Sequence, residues 1–187
     1  MDAFLISTGL VALAEVGDKT MLLALCLAAV WRRPSAILPG ILLATVANHA
    51  LAGLVGVWAA QWLSGPWMRW IIGLAFIGFA VWALIPDAFD DCPPQARKSW
   101  GAVLAATTAA FFLAEMADKT QIATAALAAR FEAVIPVVLG STLGLMLVNA
   151  PAVLVGDGLA RRLPMRAVRA AAAAGFAITG VWVLAFG

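Results

Sequence analysis

Apolar residues dominate the chain in long unbroken runs, and the polar positions fall in short breaks between them. The runs cover about residues 3–29, 36–60, 67–86, 101–129, 133–157 and 166–186. Each approaches the roughly 20 apolar residues that a helix needs to cross a bilayer. The breaks are Arg32-Arg33-Pro34, Ser64-Gly65-Pro66, the segment Asp87–Ser99, Arg130–Glu132 and Arg161–Pro164. The pattern predicts an all-α integral membrane protein of six transmembrane helices. The first run has no basic leader and no small-residue cleavage site, so it reads as a retained span.

The runs repeat at an offset of 100 residues. Ala14-Glu15-Val16-Gly17-Asp18-Lys19-Thr20 matches Ala114-Glu115-Met116-Ala117-Asp118-Lys119-Thr120. Gly40 matches Gly140, Arg69 matches Arg169, and Val81-Trp82-Ala83-Leu84 matches Val181-Trp182-Val183-Leu184. Asn48 pairs with Asn149 after one residue of slip. The chain therefore divides into one repeat at 1–86, a central cytoplasmic linker at 87–100 and a second repeat at 101–187, all within a single membrane domain of 187 residues. Three spans per repeat is an odd number, so the second must enter the membrane from the opposite side. Two inverted three-helix repeats place a transport site at the midplane where they meet.

Composition and charge sharpen this picture. Hydrophobic residues make up 64% of the chain and charged ones 12%, with a mean hydropathy of +1.00. This excludes a disordered chain, a nucleic-acid-binding domain and an ordinary soluble enzyme. Arg32, Arg33, Arg97, Lys98, Arg161, Arg162, Arg166 and Arg169 fall on one side of the predicted spans, against Arg69 and Arg130 on the other. The positive-inside rule makes the first side cytoplasmic and puts both termini outside. The arginines at 161–169 also suit contact with anionic lipid. Trp31, Trp62, Trp67, Trp70 and Trp100 lie near span ends, as interfacial rings do, while Trp82 and Trp182 read as packing residues. Cys26 and Cys92 suggest no disulfide framework.

Six charged residues interrupt the apolar runs: Glu15, Asp18 and Lys19 in the first span, and Glu115, Asp118 and Lys119 in the fourth. Such groups persist in a membrane only when paired or facing a wet cavity. On an ideal helix each trio forms one stripe, since i+3 and i+4 neighbours share a face. Two stripes meeting across the pseudo-two-fold would gather four carboxylates and two ammonium groups, a net charge of −2. One divalent cation or two protons would neutralise it. That equivalence is the physical basis of cation/proton exchange, because the same carboxylates bind either ligand. Oxygen ligands suit Mg²⁺, Ca²⁺ and Mn²⁺. No thiolate is nearby, and His49 stands alone.

Flanking residues extend the candidate site. Asn48 and Asn149 are mid-span amides, read either as metal ligands or as interhelical hydrogen-bonding groups. Gln121 lies one turn beyond Asp118, where it adds an oxygen, and its counterpart is Met21. Thr20 and Thr120 sit off the acid face of an ideal helix, so they reach the ion only across an unwound turn. Otherwise their hydroxyls bond back to the chain. Thr8 and Thr108 share the face of the glutamates and would line an access path. Pro151 would loosen its helix. Lys19 and Lys119 are i+4 partners of their own glutamates, serving as fixed partners or as tethers released by the ion.

The doubled Glu-x-Gly-Asp-Lys-Thr motif in a six-span chain of this size resembles the transmembrane protein 165 family, which includes Golgi and bacterial cation exporters. The resemblance covers nearly the whole chain. It implies export of Mn²⁺, and in some members Ca²⁺, in exchange for protons, with Glu15, Asp18, Glu115 and Asp118 binding the ion. It implies a secondary transporter of the bacterial inner membrane, with the metal ion, protons and the lipid bilayer as partners, and with no permanently bound cofactor and no catalytic group. Ala117 departs from the motif where Gly17 keeps it. Nothing in the chain fixes an oligomeric state. The alternative function is export of a small cationic organic solute, such as an amino acid. That would call for an aromatic cage, and no aromatic adjoins either motif.

Overall fold

A computed structural model describes residues 1–62, 67–85, 99–155 and 165–186. Eight helices carry them: α1 (Asp2–Glu15), α2 (Lys19–Trp31), α3 (Pro34–Trp62), α4 (Trp67–Ala83), α5 (Trp100–Glu115), α6 (Lys119–Phe131), α7 (Val134–Val155) and α8 (Met165–Phe186). Most of the predicted central linker, 87–98, lies outside the described residues, as do Asp157, Arg161 and Arg162. Helices α3 and α7 and residues Arg166–Phe186 of α8 are each long and apolar enough to cross a membrane. Helices α5 and α6 reach that length together, across a bend of 69°. The chain is a multi-pass membrane protein.

The first and fourth runs are therefore each split into two helices rather than continuous ones. This corrects the single acidic stripe expected on each. Helix α1 stops at Glu15, where Val16 turns extended (φ −64°, ψ 114°) and Gly17 takes φ 78°. The Asp18 amide then donates to the Glu15 carbonyl at 3.0 Å, and α2 starts at Lys19 with Asp18 as N-cap. These dihedrals and this bond make a type II turn, whose third residue needs positive φ and so favours glycine. Met116 (φ −65°, ψ 122°), Ala117 (φ 59°) and the Asp118-to-Glu115 bond of 3.1 Å repeat the same turn between α5 and α6. Ala117 adopts its left-handed conformation at a steric cost of about 1–2 kcal/mol. The next breaks match too. Arg32 ends α2 and Glu132 ends α6, both left-handed.

Packing follows the sequence repeat. Helix α1 lies on α7 as α5 lies on α3, and the equivalent helices α3 and α7 touch, as do α4 and α8. At the α4–α8 contact the equivalent rings Phe76 and Phe176 stack at 6.3 Å, both buried. The crossings are close because glycines face backbone: a Cβ on Gly140 would overlap the Phe4 carbonyl, and one on Gly56 the Ala125 carbonyl. Outward faces carry exposed Leu43, Leu51, Leu54 and Val55 on α3 and Ile178 and Val181 on α8. An apolar exterior around a polar centre is what a lipid solvent selects.

Some predicted roles shift. Trp62, Trp67, Trp70 and Trp100 are exposed, but Trp31 is buried. Trp182, expected in packing, is half exposed beneath the Arg130 guanidinium, 5.1 Å from its ring centre. Cys26 is disulfide-bonded, against the expected absence of a framework, and Cys92 lies outside the described residues. Helix α7 runs on through Pro151 to Val155.

Candidate ion-binding site

The two type II turns are joined through their flanking charged residues, so four helix ends converge, with Met116 and Ala117 of the second turn exposed. Glu15 and Asp18 flank the first turn, Glu115 and Asp118 the second, and all four side chains are buried. Breaking a helix at an acid exposes free backbone amides at the start of the next segment, and these favour negative charge. Asp18 and Asp118 occupy those N-cap positions, yet neither caps its helix through its side chain.

Their carboxylates reach across to the other half instead. Lys119 Nζ lies 2.6 Å from Asp18 Oδ1, and Lys19 Nζ lies 2.9 Å from Asp118 Oδ1. The expected pairing of each lysine with its own glutamate is replaced by a crossed pair of ion pairs between halves. The two pairs differ in environment. Lys119 and Asp18 are 6% and 0% exposed, whereas Lys19 and Asp118 are 31% and 5% exposed.

The glutamates take hydroxyl and amide partners. Thr20 Oγ1 donates to Glu15 Oε1, and Thr120 Oγ1 donates to Glu115 Oε2 at 2.9 Å. The unwound turns bring both threonines to their acids, which a continuous helix would have prevented. Thr20 Oγ1 also lies 3.4 Å from Asp18 Oδ2, and Thr120 Oγ1 3.5 Å from Asp118 Oδ2, so each threonine sits between the two acids of its own turn. Asn149 Nδ2 donates to Glu15 Oε1 at 2.8 Å and to the Leu145 carbonyl at 3.2 Å. Among the described residues, Glu15 Oε2, Glu115 Oε1 and Asn149 Oδ1 are buried and find no hydrogen-bond donor. Buried oxygens of this kind are costly unless a cation or proton satisfies them. Among the described residues, no three His, Cys, Asp or Glu side chains lie close enough to hold a metal by themselves. The oxygen set therefore needs the amide, the hydroxyls or a closer approach of the two turns.

The remaining predicted residues fall elsewhere. Asn48 does not touch a carboxylate: its Nδ2 donates to the Phe112 carbonyl at 2.9 Å, and its Oδ1 accepts from Gln121 Nε2 at 3.2 Å. Gln121 Oε1 accepts from the Ala117 amide at 2.5 Å. At the matching position Met21 Sδ accepts from the Gly17 amide at 3.2 Å. Thr8 and Thr108 bond back to the carbonyls of Phe4 and Leu104. Thr108 lines a surface cavity of about 610 Å³, whose other lining residues, Leu43, Leu104, Ala105, Ala109, Phe112 and Leu113, are all apolar, so no polar path runs there. His49, next to Asn48 in α3, is buried, and neither ring nitrogen finds a partner among the described residues.

Comparison with known proteins adds an independent line. The family model for the divalent cation/proton antiporter GDT1 matches residues 3–91 and 103–187, one segment in each half. A protein of Vibrio cholerae serotype O1 named "Putative manganese exporter" is 44% identical over 170 residues, covering 90% of this chain and 84% of that relative. No solved structure matches the chain.

Proposed function

The chain belongs to the GDT1 family of divalent cation/proton antiporters, and from that premise we propose that it exports Mn²⁺, with Ca²⁺ as a second substrate, from the cytoplasm in exchange for protons. Two inverted three-helix repeats alternate in opening the site to either side of the inner membrane. The observation that carries this reading is the crossed Lys–Asp pairing at two broken helices, around a cluster of buried carboxylate and amide oxygens.

The chemistry is competitive. Glu15, Asp18, Glu115 and Asp118 supply four negative charges, two of them balanced by lysines at 2.6 and 2.9 Å. The residual −2 accepts one divalent ion or two protons. Asn149, Thr20 and Thr120 complete an oxygen shell of the kind hard cations prefer. Lys19 is the tether that yields on the exposed side: an ion arriving at Asp118 displaces its ammonium group. The unequal burial of the two pairs supports alternation, since exchanging the conformations of equivalent halves would bury Lys19–Asp118 and uncover Lys119–Asp18.

The test uses purified protein in proteoliposomes loaded with a pH-sensitive dye. Mn²⁺ entering down its gradient is expected to drive protons out, and Glu15→Gln and Asp118→Asn to abolish both fluxes while the proteins remain folded. Mn²⁺ flux without proton movement, or full flux in either variant, would refute the proposal.

A further inference from the structure

The two mid-span amides match in sequence, yet they do different work. Asn149 of α7 bonds the Glu15 carboxylate directly. Asn48 of α3 has both polar atoms committed to protein: its amide nitrogen holds the Phe112 carbonyl, one of the carbonyls left over at the end of α5, and its oxygen holds Gln121 on α6. Gln121 in turn holds the Ala117 amide inside the turn. Three bonds thus run from α5 through α3 to α6 and back into the break that joins them.

The first break has no such brace. Gly17 sits at φ 78°, which glycine adopts freely, and the Met21 thioether is its only side-chain acceptor among the described residues. Ala117 at φ 59° is strained by its Cβ and needs external support. The brace occurs where glycine is lacking, and the amide opposite the glycine-bearing turn reaches a carboxylate.

We propose that Asn48 and Gln121 are positioning residues that strap the second turn in its left-handed form and so hold the next residue, Asp118, at the ion site, whereas Asn149 serves the ion-binding carboxylate directly. The inference rests on the antiport reading for its effect on transport, but not for its effect on the turn.

Two readouts on the full chain in nanodiscs keep these separate. Amide hydrogen exchange in peptides spanning 112–122 is expected to quicken in Asn48→Ala and in Gln121→Met, the latter carrying the first half's own residue, while peptides spanning 12–22 stay as in wild type. In Mn²⁺ flux, Asn48→Ala raises KM about tenfold, the scale seen when a partner that orients a metal ligand is lost, with kcat little changed. Adding Ala117→Gly, which removes the strain, returns KM and exchange toward wild type in Asn48→Ala but not KM in Asn149→Ala. The strap is overturned if exchange at 112–122 is unchanged, if it rises equally at 12–22, or if Ala117→Gly fails to rescue Asn48→Ala, as it must fail were Asn48 an ion ligand. A wild-type protein that moves no Mn²⁺ would sink the antiport reading and leave the exchange result to judge the strap.

Discussion

Lys19 and Lys119 hold the same motif position but sit in different surroundings, and a charge is worth what its surroundings make it. Lys119 and Asp18 pair out of reach of solvent, so removing one leaves a charge that nothing rehydrates. Lys19 is a third exposed, and its pair is screened accordingly. Lys119→Met is expected to cost about 3–5 kcal/mol and Lys19→Met clearly less, because water reaches the Lys19 side of its pair, compared by thermal unfolding in one detergent. Equal losses would mean that the difference in burial is not felt. That these charged residues gather inside the protein was legible in the sequence, since charges in apolar runs must find partners. Pairing was not: an i+4 spacing suggested lysine with its own glutamate, and the actual partner lies about a hundred residues away.

The helix breaks decide what the charged groups can reach. Gly17 in the first motif is the sequence signal for a turn, and the phase of Thr20 fits its acid only if the helix unwinds there. Ala117 hid the second break, because alanine is the strongest helix former and its left-handed geometry depends on bonds from α3 and α6. The equivalence of Asn48 and Asn149 failed for the same reason: where a side chain bonds depends on packing that the repeat does not encode. Close helix crossings can be tested through glycine. Gly140→Val and Gly56→Val drive side chains into facing backbone and should each lower stability by roughly 1–3 kcal/mol or more. Gly9→Ala meets nothing within 4 Å and should raise helix stability by about 0.5–1 kcal/mol, both read by thermal unfolding. A Gly140→Val protein as stable as wild type would show that α1 and α7 do not pack as described.

At the scale of the molecule, the repeat was legible because apolar runs and motifs recur in register, and the family match falls once in each half. The arginine and lysine distribution along the sequence leads to the expectation that both ends of the chain lie outside. An impermeant thiol reagent on intact cells should label a cysteine placed at Asp2, and likewise one placed at Phe186. Labelling only after permeabilisation would invert the topology. The crossed ion pairs have one more consequence. Residue 19 meets 118 as 119 meets 18, the self-complementary pattern of an isologous dimer. Neither aspartate is neutralised by the lysine of its own half, so each half completes its charge balance only against the other, and any parting of the two would strand both acids at once.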